Sequence, residues 1–266
     1  MAHGIDHLVV AVADPEAAAA ELGERLGLAF TAGGRHPGSG TVNRIAFLGD
    51  AYLELIGVED PGLASRTPLG AAVIRALDAG GGLATYALAD EQLDASVASL
   101  RAAGSSIGPV VRGSRHRDDG ERVEWSTAMF DTLGPDRPPF LIRHVATGVE
   151  WSAAALAERA AQVHPIGSPV RLVRLDLATD DPAGLAAELA AQLHLEVWAV
   201  ADLAIVSIGP HAIRLVPSRE MPVPAIAVLA ASVEAPRSVE ALGMRLDVEA
   251  VEFLDAVAEP SRRGVG

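Results

Sequence analysis

Residues Gly4 to Val58 read GIDHLVVAVADPEAAAAELGERLGLAFTAGGRHPGSGTVNRIAFLGDAYLELIGV, and this stretch decides the fold. Its first run, Ile5 to Val12, is nearly continuously apolar and rich in β-branched residues, the pattern of a strand covered on both faces. Because side chains alternate along a strand, Ile5, His7, Val9 and Ala11 share one face, and Leu8, Val10 and Val12 share the other. Asp14-Pro15 then supplies an N-cap followed by a proline at the first helical position. The helix from Ala17 to Leu26 carries Leu22 and Leu26 on one side, and Gly27 closes it. Beyond a glycine-rich loop, Val42 to Leu48 and Tyr52 to Val58 form strands joined through Gly49-Asp50, a tight hairpin signal. On the second arm Tyr52, Glu54 and Ile56 face one way. His7 and Glu54 thus form the His and Glu pair placed to meet on one concave surface.

Outward from this stretch the same order recurs. Thr67-Pro68 opens a linker helix over 66–79, which a run of glycines at 80–82 ends. A strand over 82–89 follows, then a helix from Asp90 with Leu93, Val97 and Leu100 on one face, then strands over 109–115, 122–130 and 140–145. The polar hairpin between the strands over 109–115 and 122–130 carries Arg115, His116, Arg117 and Asp118, which are expected to be solvated, and turns at Asp119-Gly120. An Ala-rich helix over 151–163 leads to a third copy: a strand over 170–178, a helix capped by Asp181-Pro182, and strands over 195–200, 203–208 and 212–216. A fourth copy begins at 224–233, with a helix expected after Ala235-Pro236, and is truncated; the tail from Glu259 to Gly266 is expected to fray. The fold class is α+β, built from βαβββ repeats: a two-unit barrel over 1–148 and a smaller module over 149–266. His7 precedes Asp14 by seven residues, as Arg174 precedes Asp181, and Glu54 follows Gly49 by five, as Arg214 follows Gly209. The third copy therefore carries arginines where the first carries His and Glu, and each either pairs with Asp176 or another acid or holds an anionic ligand. In the second copy the same offsets reach Leu83 and Arg143, with His144 on the opposite face.

Half of the 266 residues are hydrophobic, enough for a substantial core. A net charge of -14 disfavours nucleic acid, since phosphates reward clustered Lys and Arg. No apolar run is long enough to span a membrane. The absence of cysteine rules out disulfides and thiolate chemistry, and with no signal-peptide layout at the N-terminus it fits a cytoplasmic protein.

The chain resembles the vicinal oxygen chelate superfamily, and within it the glyoxalase-like domain proteins. IDHLVVAV followed by Asp-Pro, GGRHPGSGTVNR at Gly33 to Arg44, YLELIGVEDP at Tyr52 to Pro61, and PFLIRHV late in the second copy carry the likeness. The resemblance implies that paired βαβββ units form an open, incomplete barrel holding a small ligand and often one divalent metal ion. In many members a His on the first strand and a Glu on the last bind that ion, a pair that His7 and Glu54 match. Imidazole and carboxylate suit zinc, nickel, iron or manganese. The second unit departs from the pattern, because Leu83 and Arg143 cannot complete the set.

Two roles remain open at these residues. In an enzyme acting on a small carbonyl- or enol-containing metabolite, Glu54 is the acid/base and His7 a ligand or electrophile, while His36, Asn43, Arg143 and Trp125 bind substrate. In a non-catalytic binding protein the same hollow buries an apolar ligand and Arg143 neutralises Glu54. His7 also reads as a core histidine, Trp125 as packing, and the glycine-rich segment as either a surface turn or a binding loop. The partners expected are a small molecule and a second copy in a homodimer.

Overall fold

The computed structural model describes residues 2–31, 33–116 and 122–250, so the turn at Asp119-Gly120, with Arg117 and Asp118, and the tail from Glu259 lie outside the described residues. The first unit is β1 (Gly4–Ala11), α1 (Pro15–Leu26), β2 (Gly34–His36), β3 (Thr41–Leu48) and β4 (Ala51–Val58). The Asp14 carboxylate accepts from the amides of Glu16 and Ala17, and Gly27 ends α1 at φ 75°. Two connecting helices, α2 (Pro61–Ala64) and α3 (Pro68–Asp78), lead to the second unit: β5 (Gly82–Ala89), α4 (Leu93–Ala102), β6 (Val111–His116), β7 (Arg122–Ala128) and β8 (Phe140–His144).

These eight strands form a barrel in the order β1-β4-β3-β2-β6-β7-β8-β5, with β5 antiparallel to β1. The side expected to stay open is spanned by a single residue pair, Arg35 with His116. That closure depends on β2, which lies inside the segment read as a glycine-rich loop. Only three residues long and flanked by glycines, β2 has too little alternation to register as a strand. Gly33 makes it possible: its φ is 73°, and a Cβ there would lie 1.8 Å from the Asn43 carbonyl oxygen. Gly33→Ala is therefore expected to cost at least about 2 kcal/mol through left-handed strain and lost pairing of β2 with β3. A denaturant titration of the variant checks this, and an unchanged midpoint would contradict it.

The second module begins after α5 (Gly148–Trp151) and α6 (Ala153–Ala160). The single helix expected over 151–163 is broken at Ser152, whose ψ of 157° is extended and whose hydroxyl accepts from the Ala155 amide to cap α6. Strands β9 (Val170–Thr179), β10 (Glu196–Val200), β11 (Leu203–Ile208), β12 (His211–Pro217), β13 (Ala225–Ala231), β14 (Arg237–Ala241) and β15 (Met244–Ala250), with α7 (Pro182–Leu193), form a seven-stranded sheet ordered β10-β11-β12-β9-β13-β15-β14. Among the described residues no helix follows Ala235-Pro236. Residues 237–241 alternate, with Val239 and Ala241 buried and Ser238 and Glu240 exposed, so period two wins over the proline cue. Arg174 donates to Asp176 at 2.7 Å, and Arg214 stands 3.7 Å from the same carboxylate, which makes both the internal partners of one acid.

One apolar cluster runs from Leu8, Leu22 and Leu53 of the first unit to Leu175, Ile213 and Leu229 of the second sheet. His164 ties the connecting segment to the barrel: its Nδ1 accepts from the Ala29 amide at 3.0 Å, and its Nε2 donates to the Phe47 carbonyl at 2.9 Å. Burial lowers this imidazole below its ordinary value of 6.5, opposed only by the Phe47 bond. The unfolded chain therefore takes up the proton first, so stability is full above pH 6.5 and falls as pH drops from there toward the lowered folded value. His164→Leu should flatten that part of a thermal-unfolding profile; an unaltered slope would count against it.

Candidate active site

The barrel interior encloses a cavity of about 710 Å³, within the range that takes a drug-sized ligand. Strand alternation puts His7, Tyr52, Glu54, Asn43, Ile45, His36, Trp125, Phe140, Ile142 and His144 on its wall. Since β1 and β4 run parallel with His7 opposite Tyr52 and Val9 opposite Glu54, the His7 ring stacks on Tyr52 with centroids 4.4 Å apart. Its Nε2 lies 3.7 Å from Oε2 of Glu54. The other Glu54 oxygen accepts from Asn43 Nδ2 at 2.5 Å. This carboxylate is 6% exposed and oriented by an amide.

A β-bulge brings in a residue that alternation assigns to the outer face. Ile5 pairs with Leu88 and His7 with Ala87, leaving Asp6 as the extra residue of β1. Asp6 thereby reaches the inward-facing rings, accepting from His7 Nδ1 at 2.6 Å and from His144 Nε2 at 3.1 Å. Burial alone would raise the Asp6 carboxyl, but the charge and hydrogen bond of His144, joined by those of His7, hold it well below the usual carboxylate range. The Tyr52 phenol is pushed well above its ordinary value by burial and by the Asp6 and Glu54 charges, so it stays neutral. Burial lowers His36; the Glu54 charge pulls the other way and Arg115 reinforces the lowering. His36 Nδ1 meets Thr41 Oγ1 at 2.9 Å, and its ring stands edge-on to Trp125.

Arg143 does not join these groups. Inward positions on β8 are Phe140, Ile142 and His144, so Arg143 lies outside the cavity, 2.9 Å from Asp94, and cannot neutralise Glu54. The offset from the first copy slipped by one residue, and with a period of two that exchanges the faces. Of the residues singled out in the sequence, His7, Glu54, Asn43, His36 and Trp125 line one cavity. Arg115, expected to be solvated, is instead buried on the cavity wall, because β6 turns it inward onto Glu150; Asp6, His144 and Trp151 also build the site, and no local pattern marks them. His144 stacks on Trp151 of α5 with centroids 3.3 Å apart and planes 3° from parallel. The Arg159 guanidinium sits over the rings of Trp151 and Phe47, at 4.2 and 4.3 Å. Glu150 of α5 pairs with Arg115 of β6 at 2.6 Å, both nearly buried. The short helices after the barrel thus cover part of its interior.

His7 and Glu54 alone supply two donors for the divalent ion that the resemblance implies. Among the described residues no group of three or more His, Asp or Glu is placed to hold one. Asp6 holds His7 through Nδ1 and leaves Nε2 toward Glu54, so the two donors stand side by side, but two protein donors do not make a closed ligand set. What remains is a buried, oriented carboxylate beside an imidazole, capable of taking a proton from a carbon acid and returning it.

No helix among the described residues is long and apolar enough to cross a membrane. Comparison with curated protein sequences returns no match. Among solved structures, a hypothetical protein from Staphylococcus aureus superimposes with a TM-score of 0.76 at 13% identity over 92% of this chain and 98% of its own, so both modules recur there. A methylmalonyl-CoA epimerase variant from Streptomyces coelicolor, in complex with 2-nitronate-propionyl-CoA, matches 53% of this chain and 97% of its own at 16% identity, with a TM-score of 0.40. A mutant 4-hydroxymandelate synthase from the same organism matches 86% of this chain and 71% of its own at 14% identity, with a TM-score of 0.48. The family model described as "Glyoxalase-like domain" matches residues 5–193, well over half of the sequence. With the paired βαβββ units of the barrel, that match places this chain in the glyoxalase-like domain family of the vicinal oxygen chelate superfamily.

Proposed function

We propose that this protein is an enzyme that moves a proton at a carbon next to a carbonyl group in a small, largely apolar metabolite. The observation that carries this reading is the Glu54 carboxylate: buried on the cavity wall, held through one oxygen by Asn43 and close to His7 through the other. In the resting state Glu54 takes the proton from carbon, and an adjacent enol or enolate forms; returning the proton completes an isomerisation or racemisation. The contact of His7 Nδ1 with Asp6 at 2.6 Å holds the ring in place with its Nε2 toward Glu54. Asn43 Oδ1 and the His36 edge are available to orient the substrate. The proton transfer belongs to Glu54.

Incubating the protein in D₂O with a panel of 2-oxo acids and 1,3-dicarbonyl compounds, followed by proton NMR, tests the reading. Exchange of the carbon-bound proton that depends on Glu54 supports it; exchange at the same rate in Glu54→Gln contradicts it. A sequestering role draws support from a different observation: Glu54 already has the Asn43 amide as its partner, so an apolar ligand could be buried beside it without stranding a charge. Ligand-dependent thermal stabilisation that Glu54→Gln leaves intact, with no exchange on any compound, would favour that role.

A further inference from the structure

We infer that the ligand of this cavity carries a carboxylate, which binds Arg115 at the end of the barrel covered by α5. The inference rests on the reading of the barrel interior as a small-molecule site. Arg115 projects inward from β6 with its side chain 6% exposed, and its Nη2 donates to Glu150. Its Nη1 is buried and has no acceptor. A guanidinium offers five donors and cannot shed its charge, so a buried nitrogen without a partner calls for a further acceptor. The indole Nε1 of Trp151, next in sequence to Glu150 and on the same wall, is likewise buried without a partner. The orphaned Arg115 nitrogen asks for an anionic acceptor, and a carboxylate is the small group whose charge and oxygens a guanidinium matches.

The backbone is shaped for this arrangement. Gly34 on β2 lets the Arg115 side chain lie flat against the wall, since a Cβ there would stand 3.0 Å from its Cδ and 3.2 Å from Nη1. Gly113 does the same for Trp125, whose Nε1 would lie 2.4 Å from an added Cβ. β6 therefore presents the Arg115 guanidinium to the cavity, while β4 presents the Glu54 carboxylate. The apolar body of the ligand would lie along Ile45, Tyr52, Val123, Phe140 and Ile142. Glu150 then acts as a resident competitor, because its negative charge offsets Arg115 and opposes a second carboxylate.

Calorimetric titration of the full chain with octanoate and 4-phenylbutanoate, each against its primary amide, tests the inference. The acids should bind about tenfold more tightly than the amides, the difference a charge-assisted hydrogen bond supplies. Glu150→Gln should strengthen acid binding about tenfold further and leave amide binding unchanged. A purely structural Arg115 to Glu150 latch predicts the opposite: an altered unfolding temperature with no gain in acid affinity. Arg115→Met should abolish the preference for acids, and if that variant does not fold, the Glu150→Gln result decides alone. Acids and amides binding equally would overturn the carboxylate inference and leave the cavity reading standing. Binding of neither would overturn the inference too, while deuterium exchange judges the proposed chemistry separately.

Discussion

Glu54→Gln should slow exchange of the substrate's carbon-bound proton by about 10²–10⁴-fold, the usual contribution of a positioned general base. Glutamine keeps the shape of the side chain and an oxygen that can accept from Asn43 Nδ2, so the hydrogen bond on that side survives. What disappears is the ability to hold a proton taken from carbon. The substitution also leaves His7 in place, because Asp6 still holds its Nδ1 and the Nε2 contact to Glu54 at 3.7 Å is longer than a hydrogen bond. A loss in turnover with an unfolding midpoint shifted by less than about 1 kcal/mol is therefore the expected pair of results. Global unfolding of the variant would mean that the carboxylate is structural, and a turnover within threefold of wild type would remove Glu54 from the chemistry.

Asp6→Ala should destabilise the fold by about 3–5 kcal/mol, the cost of removing one member of a buried charged network. Asp6 bonds both His7 Nδ1 and His144 Nε2, and His144 Nδ1 is buried without a partner. Its loss would leave two imidazole donors in an apolar interior, with Trp151 stacked against one of them. Acidification tests the same network. Because the folded carboxyl lies well below its ordinary value of 3.8, its stabilising contribution is complete above that pH and is lost as pH falls from 3.8 toward the folded value. Asp6→Asn should therefore be less stable than wild type at neutral pH, with the gap narrowing below pH 3.8. Chemical denaturation at a series of pH values measures this, and a gap that stays constant across the acid range would refute the assignment.

Much of the fold was legible along the chain because its determinants are local. Asp14-Pro15 and Asp181-Pro182 cap α1 and α7 where the sequence places them. The recurrence of strand and helix period gives the units of the barrel and of the second sheet. His7 and Glu54 share the interior because alternation is uninterrupted from His7 onward on β1 and along β4. The short strand β2 was hidden by its glycines, and the helix expected after Ala235-Pro236 gave way to the alternation of β14.

The order of elements and the inward side of the first hairpin were determined by the sequence itself, through capping chemistry and side-chain periods that act within a few residues. Tertiary structure alone decided that Asp6 turns inward at a bulge, that His144 replaces Arg143 on the cavity wall, and that Glu150, Trp151 and Arg159 cover one part of the barrel. Each of these is set by register or packing between segments far apart in the chain. A one-residue shift between such segments exchanges the two faces of a strand and leaves no mark on its local pattern.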